Sequence, residues 1–223
     1  MEERSRGTPQ GSVISPLLAN LFLHYAFDMW MGRKYPDIPF ERYADDVVCH
    51  CKRLAQAEGL KAELEQKMAE CRLELHPEKT RIVYCKGKSK QGNYPGRRFD
   101  FLGYTFRPRK SRTRQGEYFV NFSPAISDKA AKAMRQTMRS WALQNRSDKS
   151  LEGLAYMINS VLRGWIEYYG HFYKSAMYPT FQHLDRKLAW WARRKYKRFK
   201  GRKRRSARWV AKAAECQPWL FDH

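Results

Sequence analysis

The sequence is short of acid. Its 223 residues carry 22 Asp and Glu against 44 Lys and Arg, a formal net charge of +22, which exceeds what solubility needs and implies a polyanionic partner, nucleic acid first. It is short of cysteine as well: Cys49, Cys51, Cys71, Cys85 and Cys216 form neither an even disulfide framework nor paired C-x-x-C zinc spacing, so reduced thiols in a cytoplasmic setting are expected. No run of 18 apolar residues occurs. The longest candidate, Leu17 to Met31, is interrupted by Asn20, His24 and Asp28, and no signal-peptide pattern opens the chain, so a soluble intracellular protein without a membrane partner is expected. Internal repeats and long low-complexity tracts are missing too.

What is present suffices for a packed core: 43% hydrophobic residues and 14% aromatics. Charge is divided unevenly, with 17 basic and 14 acidic residues over 1–106 (net +3) but 27 and 8 over 107–223 (net +19). Two parts with different tasks are implied. Ser15-Pro16 reads as an N-cap followed by proline at the first helical position, and Leu17, Leu18, Leu21, Phe22, Tyr25 and Met29 recur at helical spacing, which predicts a buried helix to about Met31. Leu60, Leu64, Met68 and Cys71 mark one face of a second helix over Gln56–Leu73, with Glu63 and Lys67 at i,i+4 spacing on another and Pro77 as terminator. Arg81–Cys85, the aromatic segment FDFLGYTF and Tyr118–Phe122 read as strands, and three helices are expected after Ser123-Pro124, over 128–143, 151–169 and 179–199. The order is that of an α+β domain with an antiparallel sheet followed by an all-α domain.

The stretch FERYADDVVCHC, residues 40–51, reads as a hairpin with Asp45 and Asp46 at its tip. Two adjacent carboxylates repel each other, and a divalent cation is the compact counter-charge. A solvated turn is the bland alternative, and a basic partner bound elsewhere is a third. Around the pair stand GTPQGSVISPLLANLFLHYAFD upstream and LELHPEKTRIVYC and FDFLGYTFRPR downstream. In these motifs, their order and their spacing, the chain resembles the reverse transcriptases encoded by group II introns, related to retron-type enzymes.

The resemblance implies a polymerase palm followed by a helical thumb/maturase domain. Asp45 and Asp46 would then be catalytic metal ligands for Mg²⁺, with Tyr43 and Ala44 near the primer terminus. Pro9, Gln10 and Gly11 would lie near the incoming nucleotide and template, Lys79 would donate a proton to, or stabilise, the leaving pyrophosphate, and Leu102-Gly103 would form the primer grip. Read alone, Gln10-Gly11 is a surface turn, Lys79 a solvated cation, and Phe99, Phe101, Tyr104 and Phe106 core. The implied partners are group II intron RNA, an RNA template with DNA primer, dNTPs and target DNA.

The C-terminal half resembles the maturase region of the same family through INSVLRGWIEYYGHF and LDRKLAWWARRKYKR. Arg163, Trp165 and Tyr168 offer a cation and aromatic faces, although Trp165 and Tyr169 at i,i+4 spacing equally suit a core. Residues 186–212 hold 14 basic residues and no acid, interleaved with Trp190, Trp191, Tyr196 and Phe199. Such a one-signed run repels itself unless phosphates neutralise it, and RNA fits best, because aromatic faces stack on unpaired bases. Arg193, Arg194, Lys195 and Tyr196 are the candidate RNA contacts, and neutralising the three cations is expected to flatten the salt dependence of binding.

The expected organisation is a partial palm over 1–124, a helical maturase/thumb region over 125–200 and a basic tail over 201–223. Departures from the family pattern are no fingers region, no third metal-binding aspartate upstream, no H-N-H nuclease motif, and Ser12 where relatives carry a second glycine. An N-terminally truncated family member is expected on that ground. Two functional readings stay open: an RNA-directed DNA polymerase with maturase-type RNA binding, or a catalytically incomplete protein that binds RNA and assists splicing.

Overall fold

The computed structural model describes residues 13–85, 96–113 and 115–216. The chain divides into two compact units, Met1–Ile82 and Val83–His223. Mixed helix and small antiparallel sheets make the fold α+β, as expected.

The first unit opens with helix α1 (Ser15–Leu23), a π-helical turn (His24–Asp28) and helix α2 (Met29–Lys34). Pro16 lies in the first turn of α1, where a missing N–H leaves no hydrogen bond unmade. The cap position falls on Ile14, one residue before the expected Ser15, and no side chain caps it. The expectation of a buried helix holds for only half its length. Ala26, Phe27 and Met31 are buried, whereas Leu17, Leu18, Leu21, Phe22 and Tyr25 are exposed, Leu17 and Tyr25 at 66%. The apolar period is genuine, but it counts residues that can be buried and not those that are.

Strands β1 (Phe40–Tyr43) and β2 (Asp46–Cys49) form the expected hairpin, in register Phe40↔Cys49 through Tyr43↔Asp46. Helix α3 (Leu54–Glu70) packs on it through Leu60 and Met68, which join Phe27, Met31 and Ile38 in one small core with Phe40, Cys49, Cys51 and Leu64 at its margin. The Glu63–Lys67 pairing suggested by spacing is replaced by two others: Glu63 pairs with Lys34, and Lys67 with Glu70 at 3.0 Å. Helix α3 stops well before Pro77. The amide of Leu73 bonds to the Met68 carbonyl (2.8 Å) and that of Arg72 to Ala69 (2.9 Å), with Arg72 at φ 56°. This is a Schellman stop with arginine where glycine is usual.

Residues 81–85, where a strand was expected, form none; the Tyr84 amide donates to the Gly96 carbonyl at 3.0 Å. FDFLGYTF is not one strand but two. Strand β3 (Phe99–Phe101) turns through Leu102 (φ 49°) and Gly103 (φ 78°) into β4 (Tyr104–Arg112), and β5 (Tyr118–Ile126) completes an antiparallel sheet in the order β3-β4-β5. Two consecutive residues at positive φ match the strand twist of a two-residue hairpin, and leucine at the first of them hides the turn from the sequence.

Ser127 caps helix α4 (Asp128–Ser140) by accepting from the Ala130 amide at 3.1 Å, and Ser150 likewise caps α5 (Leu151–Tyr173) through Gly153. Helix α6 (Tyr178–Lys195) follows, then α7 (Lys203–Cys216), a helix where only a basic tail was expected. These helices share one core in which Ile158, Leu162, Leu184, Leu188 and Trp191 are wholly buried, and Val210 of α7 belongs to it. Cys49, Cys51 and Cys71 are free thiols, and burial pushes the Cys49 thiol up to about 11. No described helix is long and apolar enough to cross a membrane.

Candidate metal and nucleic-acid sites

The β1–β2 hairpin places Ala44 and Asp45 in the turn, while Asp46 opens β2 opposite Tyr43. Ala44 sits at φ 54°, a conformation alanine adopts only when its surroundings hold it there. The holding group is Arg42. Its Nε and Nη2 donate to Asp28 Oδ1 and Oδ2 at 2.7 and 2.6 Å, and its Nη1 donates to Asn20 Oδ1 and to the carbonyl of Ala44, both at 3.0 Å. One guanidinium thus ties the turn to α1 and to the π-helical turn through a bidentate fork. Arg42 lowers the Asp28 pKa, burial opposes this, and His24 adds to the lowering. Sequence reasoning missed the joint role of Arg42, Asp28 and Asn20: the last two stand out only as polar breaks in an apolar run, and Arg42 lies three residues before Asp45 without a motif of its own.

Tyr43, Ala44, Asp45, Asp46 and Val47 are all exposed, Tyr43 at 65%. The hairpin therefore presents two carboxylates and an aromatic ring on an open surface. Lys79 stands exposed in the turn after α3, in the same unit but on a separate loop. Pro9, Gln10 and Gly11 lie outside the described residues.

In the second unit the Leu102–Gly103 turn is clamped by the end of α5. Tyr168 Oη donates to the Leu102 carbonyl at 2.9 Å, and Tyr104 Oη donates to the Tyr168 carbonyl. The Ser127 amide donates to the Gly103 carbonyl at 2.9 Å. A β-carbon on Gly103 would stand 2.7 Å from Tyr169 Oη, so glycine serves both the φ and the close approach. Tyr104 packs among Tyr168, Tyr169 and Phe172, with centroids 5.4–5.5 Å apart. Tyr168 is thereby a strut for the turn, and Trp165 lies against Trp141 at 5.8 Å beside the core. Arg163 is exposed on α5.

The basic run from 186 to 212 is a packed structure and not a loose charged arm. Trp191 and Phe199 are buried, and Tyr196 and Trp209 close around them with centroids 5.4–6.5 Å apart. Arg198 lies 4.7 Å over Phe199. Of the expected RNA contacts, Arg193 Nη1 donates to Ser206 Oγ (3.2 Å), Arg194 Nη1 to Asn145 Oδ1 (3.0 Å), and Lys195 Nζ to the carbonyls of Ser147 (3.1 Å) and Lys149. The structure brings Tyr196 into the aromatic cluster and Arg193 against α7.

A family model described as reverse transcriptase (RNA-dependent DNA polymerase) matches residues 2–106, and one described as group II intron, maturase-specific domain, matches residues 131–209. The chain belongs to the group II intron reverse transcriptase/maturase family. No curated protein matches it. The reverse transcriptase match contains the braced Asp45–Asp46 hairpin and the clamped Leu102–Gly103 turn, and the maturase match contains the basic, aromatic helical core. Nucleic acid is the ligand class of both domains, and intron RNA that of the second.

Reverse transcriptases work with divalent metal, and the donor chemistry of the hairpin suits one. Two exposed carboxylates offer hard oxygen ligands, and an ion such as Mg²⁺ takes one or two carboxylates while substrate phosphates and water fill its remaining positions. Among the described residues no three His, Cys, Asp or Glu side chains converge. Asp45 and Asp46 thus fit part of a ligand set.

Proposed function

We propose that the chain is a reverse transcriptase/maturase that holds group II intron RNA with its helical domain and extends a DNA primer on RNA with its palm. The observation that carries this is the Asp45–Asp46 pair, presented openly on a hairpin whose turn is held in a strained conformation by Arg42. Strain kept by a dedicated brace marks a functional site. Asp45 and Asp46 would hold Mg²⁺, which when bound activates the primer hydroxyl and stabilises the leaving pyrophosphate. Tyr43 and Ala44, next to the carboxylates, would meet the primer terminus. Lys79 would neutralise charge on the pyrophosphate, and Leu102-Gly103, rigid under Tyr168, would grip the primer. Pro9, Gln10 and Gly11 would line the nucleotide and template path. In the helical domain Arg163, Tyr168 and Arg194 are the exposed members of the sequence-derived RNA contacts.

A second reading, RNA binding and splicing assistance without polymerisation, is favoured by the net +19 carried by residues 107–223, a surface that needs no metal to act. Primer extension on an RNA template, run beside intron splicing with the same preparation, separates the two. Extension lost in Asp45→Ala with splicing kept supports the first; splicing assistance without extension in the wild type supports the second.

A further inference from the structure

The α4–α6 seam of the maturase domain joins the start of the basic run on α6 to cations of α4 that lie outside it. Helices α4 and α6 pack side by side, with Arg135 Nη1 of α4 donating to Thr180 Oγ1 of α6 at 3.4 Å. At this seam the charges acting on His183 are those of Lys187 and Arg186 on its own helix and of Arg139 and Arg135 on α4. All four are cations. Burial first, then these cations, lower the His183 pKa, and its Nε2 is buried without a hydrogen-bond partner. These cations disfavour the protonated imidazole and leave the seam with a positive field that would favour an anion.

One turn further along α6 stands Trp190, 43% exposed, with Lys187 Nζ 5.4 Å from its ring centroid. One more turn brings Arg194, fixed by Asn145 at the end of the α4 side. Thr180 to Lys195 spans about 22 Å of helix, comparable to the short end of the roughly 4–16 nucleotides that single-strand grooves cover. Along this length Arg186, Lys187, Arg193, Arg194 and Lys195 accompany the exposed ring of Trp190, against one acid, Asp185. Cations alone would suit any phosphate backbone, but an exposed indole flanked by them suits unpaired bases, because a paired base has no face to offer.

We propose that the α4–α6 seam is a single-stranded RNA track, with Trp190 as its stacking platform and Arg139 and Lys187 as phosphate contacts. The inference rests on the RNA-binding part of the proposed function and names where, and in what form, the RNA is held. It moves the contact surface away from Arg193, Lys195 and Tyr196, whose polar atoms and ring are used within the protein. Phosphates entering the seam would relieve the repulsion on His183, so bound RNA raises its pKa from the lowered value.

The test measures binding of the full chain to an eight-nucleotide oligouridine and to a group II intron RNA by fluorescence anisotropy across a salt series. Trp190→Ala should weaken oligouridine binding by about tenfold or more without altering the salt slope, and Trp190→Phe should restore most of it. Arg139→Gln with Lys187→Gln should lower the slope by about 1.4, at roughly 0.7 per phosphate on a single strand. Removing two cations elsewhere, Arg33→Gln with Lys61→Gln, should leave the slope unchanged. In NMR titrations the His183 ring protons should titrate at higher pH with oligouridine bound.

Wild-type affinity in Trp190→Ala with an unchanged slope in the Arg139/Lys187 variant would overturn the seam while intron binding itself stands. Intron RNA bound no more tightly than oligouridine, with both sensitive to Trp190, would overturn the intron reading and keep the seam. Preference for a fully paired duplex, or no binding of either RNA, would overturn the track.

Discussion

At the scale of single residues, the site depends on side chains that do no chemistry. Arg42 makes four hydrogen bonds, to Asp28, Asn20 and Ala44. Arg42→Gln is expected to destabilise the hairpin by about 1.5–3 kcal/mol, the range for hydrogen bonds to a charged partner, and urea unfolding will show it. The Asp28 carboxyl supplies a pH signature. Its folded pKa lies below the ordinary 3.8, so the stability it contributes is fully present above that value and is lost as pH falls through the depressed folded value. Acid titration of Asp28→Asn should lack this loss; an identical acid limb in variant and wild type would contradict the brace. Gly103→Ala meets both a positive φ and Tyr169 Oη, and is expected to cost about 1–3 kcal/mol. Tyr169→Phe should recover part of it, because only the hydroxyl contact is relieved, and a double-mutant cycle measures the recovered share.

At the scale of elements, the sequence was legible where periodicity and burial agree. The hairpin over 40–49, the helix over 54–70 and the three helices after 128 follow from spacing, and Ser127 and Ser150 cap two of them in the ordinary way. It misled where a residue adopts a conformation its type disfavours. Leu102 at φ 49° cuts FDFLGYTF in two, and Arg72 at φ 56° stops α3 before the proline that looked like its terminator. Residues 203–216 looked like tail because they continue the one-signed basic run, yet Trp209 and Val210 are enough to seat a helix. Arg72→Gly should stabilise α3 by roughly 0.5–1 kcal/mol, since glycine tolerates the left-handed position. Arg193→Gln removes the bond from α6 to Ser206 of α7 and should lower the melting temperature, whereas Lys187→Gln, poised over the exposed Trp190, should not. Equal losses from both would contradict the division between structural and RNA-facing cations.

At the scale of the whole molecule, charge and chemistry are segregated. The reverse transcriptase match carries nearly balanced charge and the two open carboxylates, and the maturase match lies in the strongly basic remainder. The Asp45–Asp46 pair was legible as a candidate metal site because YADD stands among ordered motifs; adjacency of two acids alone would not have marked it. Its brace was not legible, since Asp28 and Arg42 are far apart in sequence and meet only through the fold. The aromatic residues of the basic run were legible as a group but not as individuals: Trp191, Tyr196 and Phe199 turned inward to form the core, leaving Trp190 outward. The most direct measurement is primer extension on an RNA template with Mg²⁺. Wild-type extension that falls by at least about a thousandfold in Asp45→Ala and Asp46→Ala, with RNA binding unchanged, is the expected result; extension that survives either substitution would contradict the account.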